Sequence, residues 1–210
     1  IGGLIMVHGD DYGLVLPPNI APKQVVIIPI GNDEEVISLA KSYNEILNKN
    51  NITSYIDLTE KSPGFKFAEA EVNGIPIRIE IGKRDLENNQ VTFVRRDTRE
   101  KIIQALDIEL VSYTKDLLNT IQKDMYQRAL DRRNSLTFEA HNLKDMENIL
   151  NTQPGFIRAD WCGDEACELK IKEIKGCKSR CILENEPLID GKCVCCGKDA
   201  KHHVIWGIQY

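Results

Sequence analysis

The chain lacks the marks of several common protein classes. No apolar run approaches the ~20 residues that a helix needs to cross a bilayer, and no charged–apolar–small leader pattern occurs, so membrane insertion and export are not expected. Positive charge is in deficit: 27 Lys and Arg against 32 Asp and Glu leave −5 over 210 residues. That excludes a body that grips nucleic acid through bulk charge and confines any such binding to a local patch. Cysteine is missing before Cys162, and all seven cysteines fall between 162 and 196. An odd, clustered count without an export signal argues for reduced thiols and a metal in a cytoplasmic chain, not for disulfides. Catalytic signatures are missing too. There is no H-E-x-x-H, no H-x-E followed by P-C-x-x-C, no phosphate-cradling glycine loop and no nucleophile–base motif, so a small-molecule enzyme within these residues is not expected.

What is present reads as globular, with 42% apolar and 28% charged residues and length enough for a sizeable core. The chain opens Ile1-Gly2-Gly3, with Ile1, Leu4 and Ile5 at helical spacing and Gly9 as a stop. This is the expected tail of an element that begins earlier, in a longer polypeptide. Pro17-Pro18 and Pro22 mark a stiff linker. Val25–Ile30 is a continuous apolar run, expected as a buried parallel strand. Asp33 caps a helix whose inner stripe is Val36, Leu39, Ala40, Tyr43, Ile46 and Leu47, and a strand follows over 52–56, completing a βαβ unit. A short helix over 66–72 stops at Gly74. Ile77, Ile79 and Ile81 alternate with Arg78 and Glu80, which predicts a half-buried strand with one polar face. Asn88-Asn89 turns the chain into a hairpin partner over 91–94, and Thr98 is placed to cap a helix from about Arg99.

An amphipathic helix over 107–133 and a shorter one over 143–150 precede the break at Gln153-Pro154-Gly155. Composition then changes: residues 156–210 hold every cysteine and both tryptophans, with a helix near 164–172 and later short strands. The expected organisation is an entry segment and linker (1–22), an α/β domain on a mixed sheet (23–106), a helical connector (107–154) and a small α+β module (155–210). So small a module has little core of its own and calls for a metal staple.

The cysteines are spaced Cys162-x4-Cys167, Cys177-x3-Cys181 and Cys193-x-Cys195-Cys196. Zinc favours four thiolate or imidazole ligands in two close pairs, and Cys193–Cys196 followed by Gly197-Lys198 has the form of a zinc knuckle. Cys162, Cys167, Cys193 and Cys196 are the expected ligands of a closed, structural Zn²⁺ site, with Cys195 the rival within the last pair. Cys177 and Cys181 fit buried or free thiols better. His202-His203 are expected as partly exposed strand residues.

Residues 78–101 carry a net +2 while the remainder of the chain carries −7, with acidic and basic side chains mixed. A solvated charged face explains such a mixture on charge alone. The alternative is recognition of unpaired guanines, whose Watson–Crick edge presents two adjacent donors beside an acceptor oxygen and matches one carboxylate plus one Arg or Lys.

Several of these stretches together resemble one family. His8-Gly9-Asp10-Asp11, Gly13-Leu14-Val15-Leu16-Pro17-Pro18, Ala21-Pro22 and Gln24-Val25-Val26 are similar to prolyl-tRNA synthetases of the archaeal and eukaryotic type. So are Pro63-Gly64-Phe65-Lys66-Phe67, Gly74–Gly82, Arg84-Asp85-Leu86 and Arg95-Arg96-Asp97-Thr98, and the tail with Cys162-Gly163-Asp164, Cys196-Gly197-Lys198 and Tyr210. The resemblance covers essentially the whole chain. It implies the five-stranded α/β anticodon-binding domain of a class II synthetase, followed by that type's α+β zinc-binding domain. It further implies a homodimeric parent enzyme that activates proline with ATP and Mg²⁺ and transfers it to tRNA(Pro). The class-defining motifs would lie before Ile1, so these residues alone are expected to be inactive.

Proline anticodons end in two guanines. Carried over from the family, Glu71 and Arg78 would serve one, and Asp85 with Arg99 or Lys101 the other. Without the resemblance, Glu71 reads as a helix-surface carboxylate, Arg78 as a strand-surface charge and Asp85 as a turn cap. Ala70 departs from the family, where Trp is frequent. In similar enzymes the terminal carboxylate reaches the catalytic cleft, a role that would fall to Tyr210. Two other readings stay open: a non-catalytic interaction or regulatory protein on this fold, and the anticodon domain of another class II synthetase such as a threonyl, histidyl or glycyl enzyme.

Overall fold

A computed structural model describes residues 2–153 and 155–208. The roles expected of Ile1, Pro154 and Tyr210 lie outside them. The chain divides into two compact units, Ile1–Ala129 and Leu130–Tyr210. Among the described residues no helix is long and apolar enough to cross a membrane.

The first unit begins with α1 (Gly2–His8), closed by a bond from the Gly9 N–H to the Ile5 carbonyl at 2.8 Å. The segment after it is fastened to the unit by main-chain bonds from Leu14 N to Val72 O (3.0 Å) and from Leu16 N to Gly74 O (3.2 Å). Gly13 is required there. Its φ is +129°, and a Cβ would stand 2.6 Å from the Val72 Cα.

The elements that follow are β1 (Val25–Ile30), α2 (Glu34–Lys49), β2 (Ser54–Ile56), α3 (Pro63–Val72), β3 (Ile77–Gly82), α4 (Lys83–Glu87), β4 (Gln90–Arg95), β5 (Lys101–Ala105) and α5 (Leu110–Ser135). They build a five-stranded mixed sheet in the order β2-β1-β3-β4-β5. β1 pairs in parallel with β2 and β3, and β3–β4 and β4–β5 are antiparallel. The continuous apolar β1 is buried on both faces, as its composition requires. Its Val25 and Ile27 meet Val36, Ala40, Tyr43 and Leu47 of α2 and Leu117, Leu118, Ile121 and Met125 of α5. Its Val26 and Ile28 meet Ala70 of α3 and Ile75. Asp33 caps α2 as expected, accepting from the N–H groups of Glu35 (3.0 Å) and Val36 (3.5 Å).

Two expectations for this unit are corrected. The helix from Arg99 is instead strand β5: Thr98 serves the hairpin loop, its hydroxyl accepting from the Glu100 N–H at 3.3 Å. The polar face of β3 is not solvent-facing, because α3 and Lys101 cover Arg78 and Glu80 and all six residues are buried.

The second unit takes up the end of α5. It adds β6 (Thr137–Glu139), α6 (Leu143–Thr152), β7 (Phe156–Trp161), α7 (Glu165–Lys172), β8 (Cys177–Ile182) and β9 (His202–Ile208). Its four-stranded sheet runs β6-β7-β9-β8. The core gathers Met146, Leu150, Ile157, Ile171, Val204 and Trp206. Another expectation fails here. His202 is partly exposed on β9, but His203 is buried, because its Nδ1 pairs with Asp160 Oδ1 at 2.9 Å across β7–β9.

Candidate nucleic-acid interface and metal centre

The sheet face that α3 shares with β1 is not covered as far as β5. Register sets this face in rows that run from buried to exposed: Arg78 stands beside Val94, and Val94 beside exposed Lys101, while Glu80 stands beside Thr92, and Thr92 beside Ile103. Ile103 is 61% exposed, an apolar side chain at the sheet margin with no protein cover.

Charge alternates along this face. The Arg78 guanidinium donates from Nε to Glu80 Oε1 at 2.9 Å and from Nη1 to Glu71 Oε1 at 3.1 Å and the Phe67 carbonyl at 3.3 Å. Lys101 Nζ donates to the other Glu80 oxygen at 3.3 Å. Both cations lie over the Phe67 ring, Arg78 at 4.5 Å and Lys101 at 5.9 Å from its centroid. Arg78 and Glu80 are nearly enclosed, whereas 22% of the Glu71 side chain is exposed. Glu71 Oε2 and Arg78 Nη2 have no hydrogen-bond partner among the described residues. The carboxylate and the guanidinium, joined at 3.1 Å, thus each keep one polar group unused. A crevice lined by Ala70, Glu71, Ile75, Arg78, Val94, Arg95 and Arg96 lies next to them. The small Ala70 forms part of its wall.

The remaining residues expected at this surface are placed differently. Asp85 caps α4, its Oδ2 accepting from the Gly82 N–H at 2.8 Å. It therefore stands beyond the end of β3, about 13 Å along the strand from Arg78. Arg99, at φ 59°, stacks its guanidinium on the Tyr12 ring at 3.6 Å. The structure thus brings Glu71, Arg78 and Lys101 together, holds Arg99 on Tyr12 within electrostatic reach of Glu71, and leaves Asp85 apart. Sequence reasoning missed Glu80, which joins the two cations, and Arg96. The Arg96 guanidinium donates to both Asp10 oxygens (2.7 and 2.8 Å) and to the Glu71 carbonyl (2.8 Å). That contact brings the Asp10 pKa down to about 2.

In the second unit, Cys162 follows β7, Cys167 lies in α7, and Cys193 and Cys196 bracket a tight turn closed by Gly197 N to Cys193 O at 2.9 Å. The four Sγ atoms lie within 4.8 Å of one another, with Cys162–Cys167 at 3.7 Å and Cys162–Cys196 at 3.8 Å. A tetrahedral thiolate shell with metal–sulfur bonds of ~2.3 Å has sulfur–sulfur edges of ~3.8 Å, so these residues fit a Cys₄ metal site. Burial disfavours the Cys193 thiolate, but N–H groups of Cys196, Cys195 and Cys162 outweigh it and bring the pKa down to about 7. Burial holds the Cys162 and Cys167 thiols up, which a bound cation reverses. Cys195 is outside the set and packs on the second core. Cys177 and Cys181, on β8, are also outside it, and burial raises the Cys177 pKa to about 11.

Comparison with known proteins agrees with this geometry. The family model described as "Anticodon binding domain" matches residues 24–123, and that described as "Prolyl-tRNA synthetase, C-terminal" matches residues 143–210. Proteins named proline–tRNA ligase from Clostridium novyi and Lachnoclostridium phytofermentans are each 48% identical over the whole chain. The chain spans 44% of the length of both relatives. A crystal structure of prolyl-tRNA synthetase from Cryptosporidium parvum, complexed with L-proline and AMP, is 35% identical and superposes with a TM-score of 0.90. It covers all of this chain, which matches 46% of it. The C-terminal match extends past the anticodon-binding domain and answers the question left between prolyl and other class II enzymes. The chain belongs to the prolyl-tRNA synthetase family, of which it comprises the anticodon-binding and C-terminal domains.

Proposed function

We propose that this chain reads the anticodon of tRNA(Pro) within a cytoplasmic, homodimeric proline–tRNA ligase. ATP, Mg²⁺ and proline are handled by the part of the enzyme that these residues do not include. The observation that carries the reading is the Glu71–Arg78 pair, joined at 3.1 Å, in which the carboxylate keeps one acceptor oxygen and the guanidinium one donor nitrogen unused. A guanine edge is complementary: its N1–H and N2–H groups donate to Glu71, and its O6 accepts from Arg78. Exposed Ile103 offers an apolar surface against which an unstacked base can lie. Asp85, with Lys101 or Arg99, is assigned to the second guanine, two splayed bases being able to span the length of β3.

The four cysteines take Zn²⁺. A closed thiolate shell has no open position for chemistry, so the ion would fix the turn at Cys193 against α7 and stabilise the fold of the second unit.

The test is Arg78→Ala in the full-length enzyme. Its kcat/KM for tRNA(Pro) should fall ~10-fold or more, the ~1–3 kcal/mol of a two-point base contact, with discrimination against altered anticodons reduced. Proline-dependent ATP–pyrophosphate exchange should not change. Unchanged tRNA kinetics with unchanged discrimination would defeat the reading.

A further inference from the structure

We infer that Glu80 is the positioning residue of the guanine-reading pair, holding Arg78 so that Glu71 stays available to the base. This rests on the anticodon-reading proposal above. Glu80 lies on β3, with its side chain 7% exposed and each oxygen engaged by a different cation: Oε1 by Arg78 Nε at 2.9 Å and Oε2 by Lys101 Nζ at 3.3 Å. A buried carboxylate between two cations does not itself face a ligand. Its effect is on their geometry and charge.

Arg78 has three nitrogens to place. Glu80 takes Nε, and the Phe67 carbonyl and Glu71 Oε1 take Nη1, with the Phe67 ring beneath the plane, so Nη2 alone points away. Remove the Glu80 charge and Glu71 becomes the only carboxylate on the guanidinium. Glu71 is the more exposed of the two acids and carries the free oxygen. It would then fold onto Arg78 with both oxygens, and the acceptor offered to the base would be lost.

Charge gives a second consequence. Glu71 and Glu80 balance Arg78 and Lys101, so the cluster is neutral as built. Without the Glu80 charge it carries +1, and Lys101, 60% exposed, is released toward solvent. A freed ammonium attracts phosphate regardless of sequence and steepens the salt dependence by about one unit of slope. Loss of Glu80 therefore lowers discrimination while preserving or raising affinity for the wrong RNA. A merely structural residue would weaken both together.

The experiment uses the full-length enzyme with Glu80→Gln, which keeps the shape, and Glu80→Asp, which keeps the charge but withdraws it by a methylene. Transcripts of tRNA(Pro) with guanine or adenine at the anticodon positions are compared for kcat, KM and binding against salt. For Glu80→Gln, KM for the cognate transcript should rise ~10-fold at unchanged kcat. The guanine-over-adenine ratio should fall by the same factor, and adenine transcripts should bind at least as well as to wild type. Glu80→Asp should lie between. Wild-type discrimination in whichever of these variants folds, alongside a discriminating loss in Arg78→Ala, overturns the role of Glu80 and leaves the reading intact. If Arg78→Ala also discriminates as wild type does, the reading itself has failed.

Discussion

Asp160→Ala is expected to be among the most damaging single changes in the second unit outside its hydrophobic core and its four clustered cysteines. Asp160 is 2% exposed. One carboxylate oxygen binds His203 Nδ1 at 2.9 Å, and the other accepts from the N–H groups of Asp190 and Gly191 at 3.0 Å each. Its own carbonyl accepts from the Val194 N–H at 2.9 Å. The side chain thus ties β7 to β9 and to the loop that leads into Cys193. Truncation strips an enclosed imidazole, 3% exposed, of its partner and frees two loop amides. The amides can turn to water, but the imidazole cannot, so the cost is roughly 3–5 kcal/mol, the range for removing one member of a buried pair. That is a large share of a small domain's stability. Both tryptophans, Trp161 and Trp206, lie in this unit, so their fluorescence reports its unfolding separately from the first unit. A urea titration should show the loss, and chelator competition should show zinc held ~10–100-fold more weakly, because the approach to Cys193 is loosened. Asp160→Asn keeps one acceptor oxygen and should lose less. A shift below ~1 kcal/mol for Asp160→Ala, with zinc held as in wild type, would mean that Asp160 does not tie these elements together.

Two further outcomes follow from the geometry. Cys167→Ser should abolish stoichiometric zinc in elemental analysis, because the remaining three sulfurs leave one corner of the tetrahedron open; retention of one zinc per chain would contradict the Cys₄ assignment. Arg96 holds the Asp10 carboxylate at about 2, below its ordinary 3.8, so the pair stabilises the segment at residues 10–16 above pH ~4 and releases it as pH falls through about 2. The backbone amides of Tyr12 and Gly13, followed by NMR, should titrate with that low midpoint; a midpoint near 3.8 would dissolve the pairing.

Much of this was legible from residue order because local signals and tertiary demands agree. Asp33 reads as a cap and is one, and the apolar run of β1 is apolar because helices cover both its faces. The cysteine spacings single out Cys162, Cys167, Cys193 and Cys196, with Cys195 as rival, and the fold brings the sulfurs of those four, without Cys195, within 4.8 Å of one another. The sequence of β5 resembles a helix start for a physical reason. A sheet-edge strand leaves Ile103 exposed beside partly buried Ile102, which erases the period of two, and Thr98 next to charged residues has the form of a cap. Glu80 looked like half of a solvated stripe, because no pattern along one strand tells that a helix and a lysine from β5 close over it. Asp160 and His203 carry no signal at all: forty-three positions separate them, and only the β7–β9 register brings them face to face.

If Glu71 accepts hydrogen bonds from a guanine edge, inosine is the base that exposes it, because it differs from guanosine only in lacking the 2-amino group. Binding of tRNA(Pro) transcripts with inosine at each anticodon guanine should be measured for the intact enzyme and for Glu71→Gln. At one position, wild type should bind inosine about 5-fold or more weakly, and that penalty should vanish in the variant. Equal affinity for guanosine and inosine at both positions would mean that Glu71 does not bind the guanine edge.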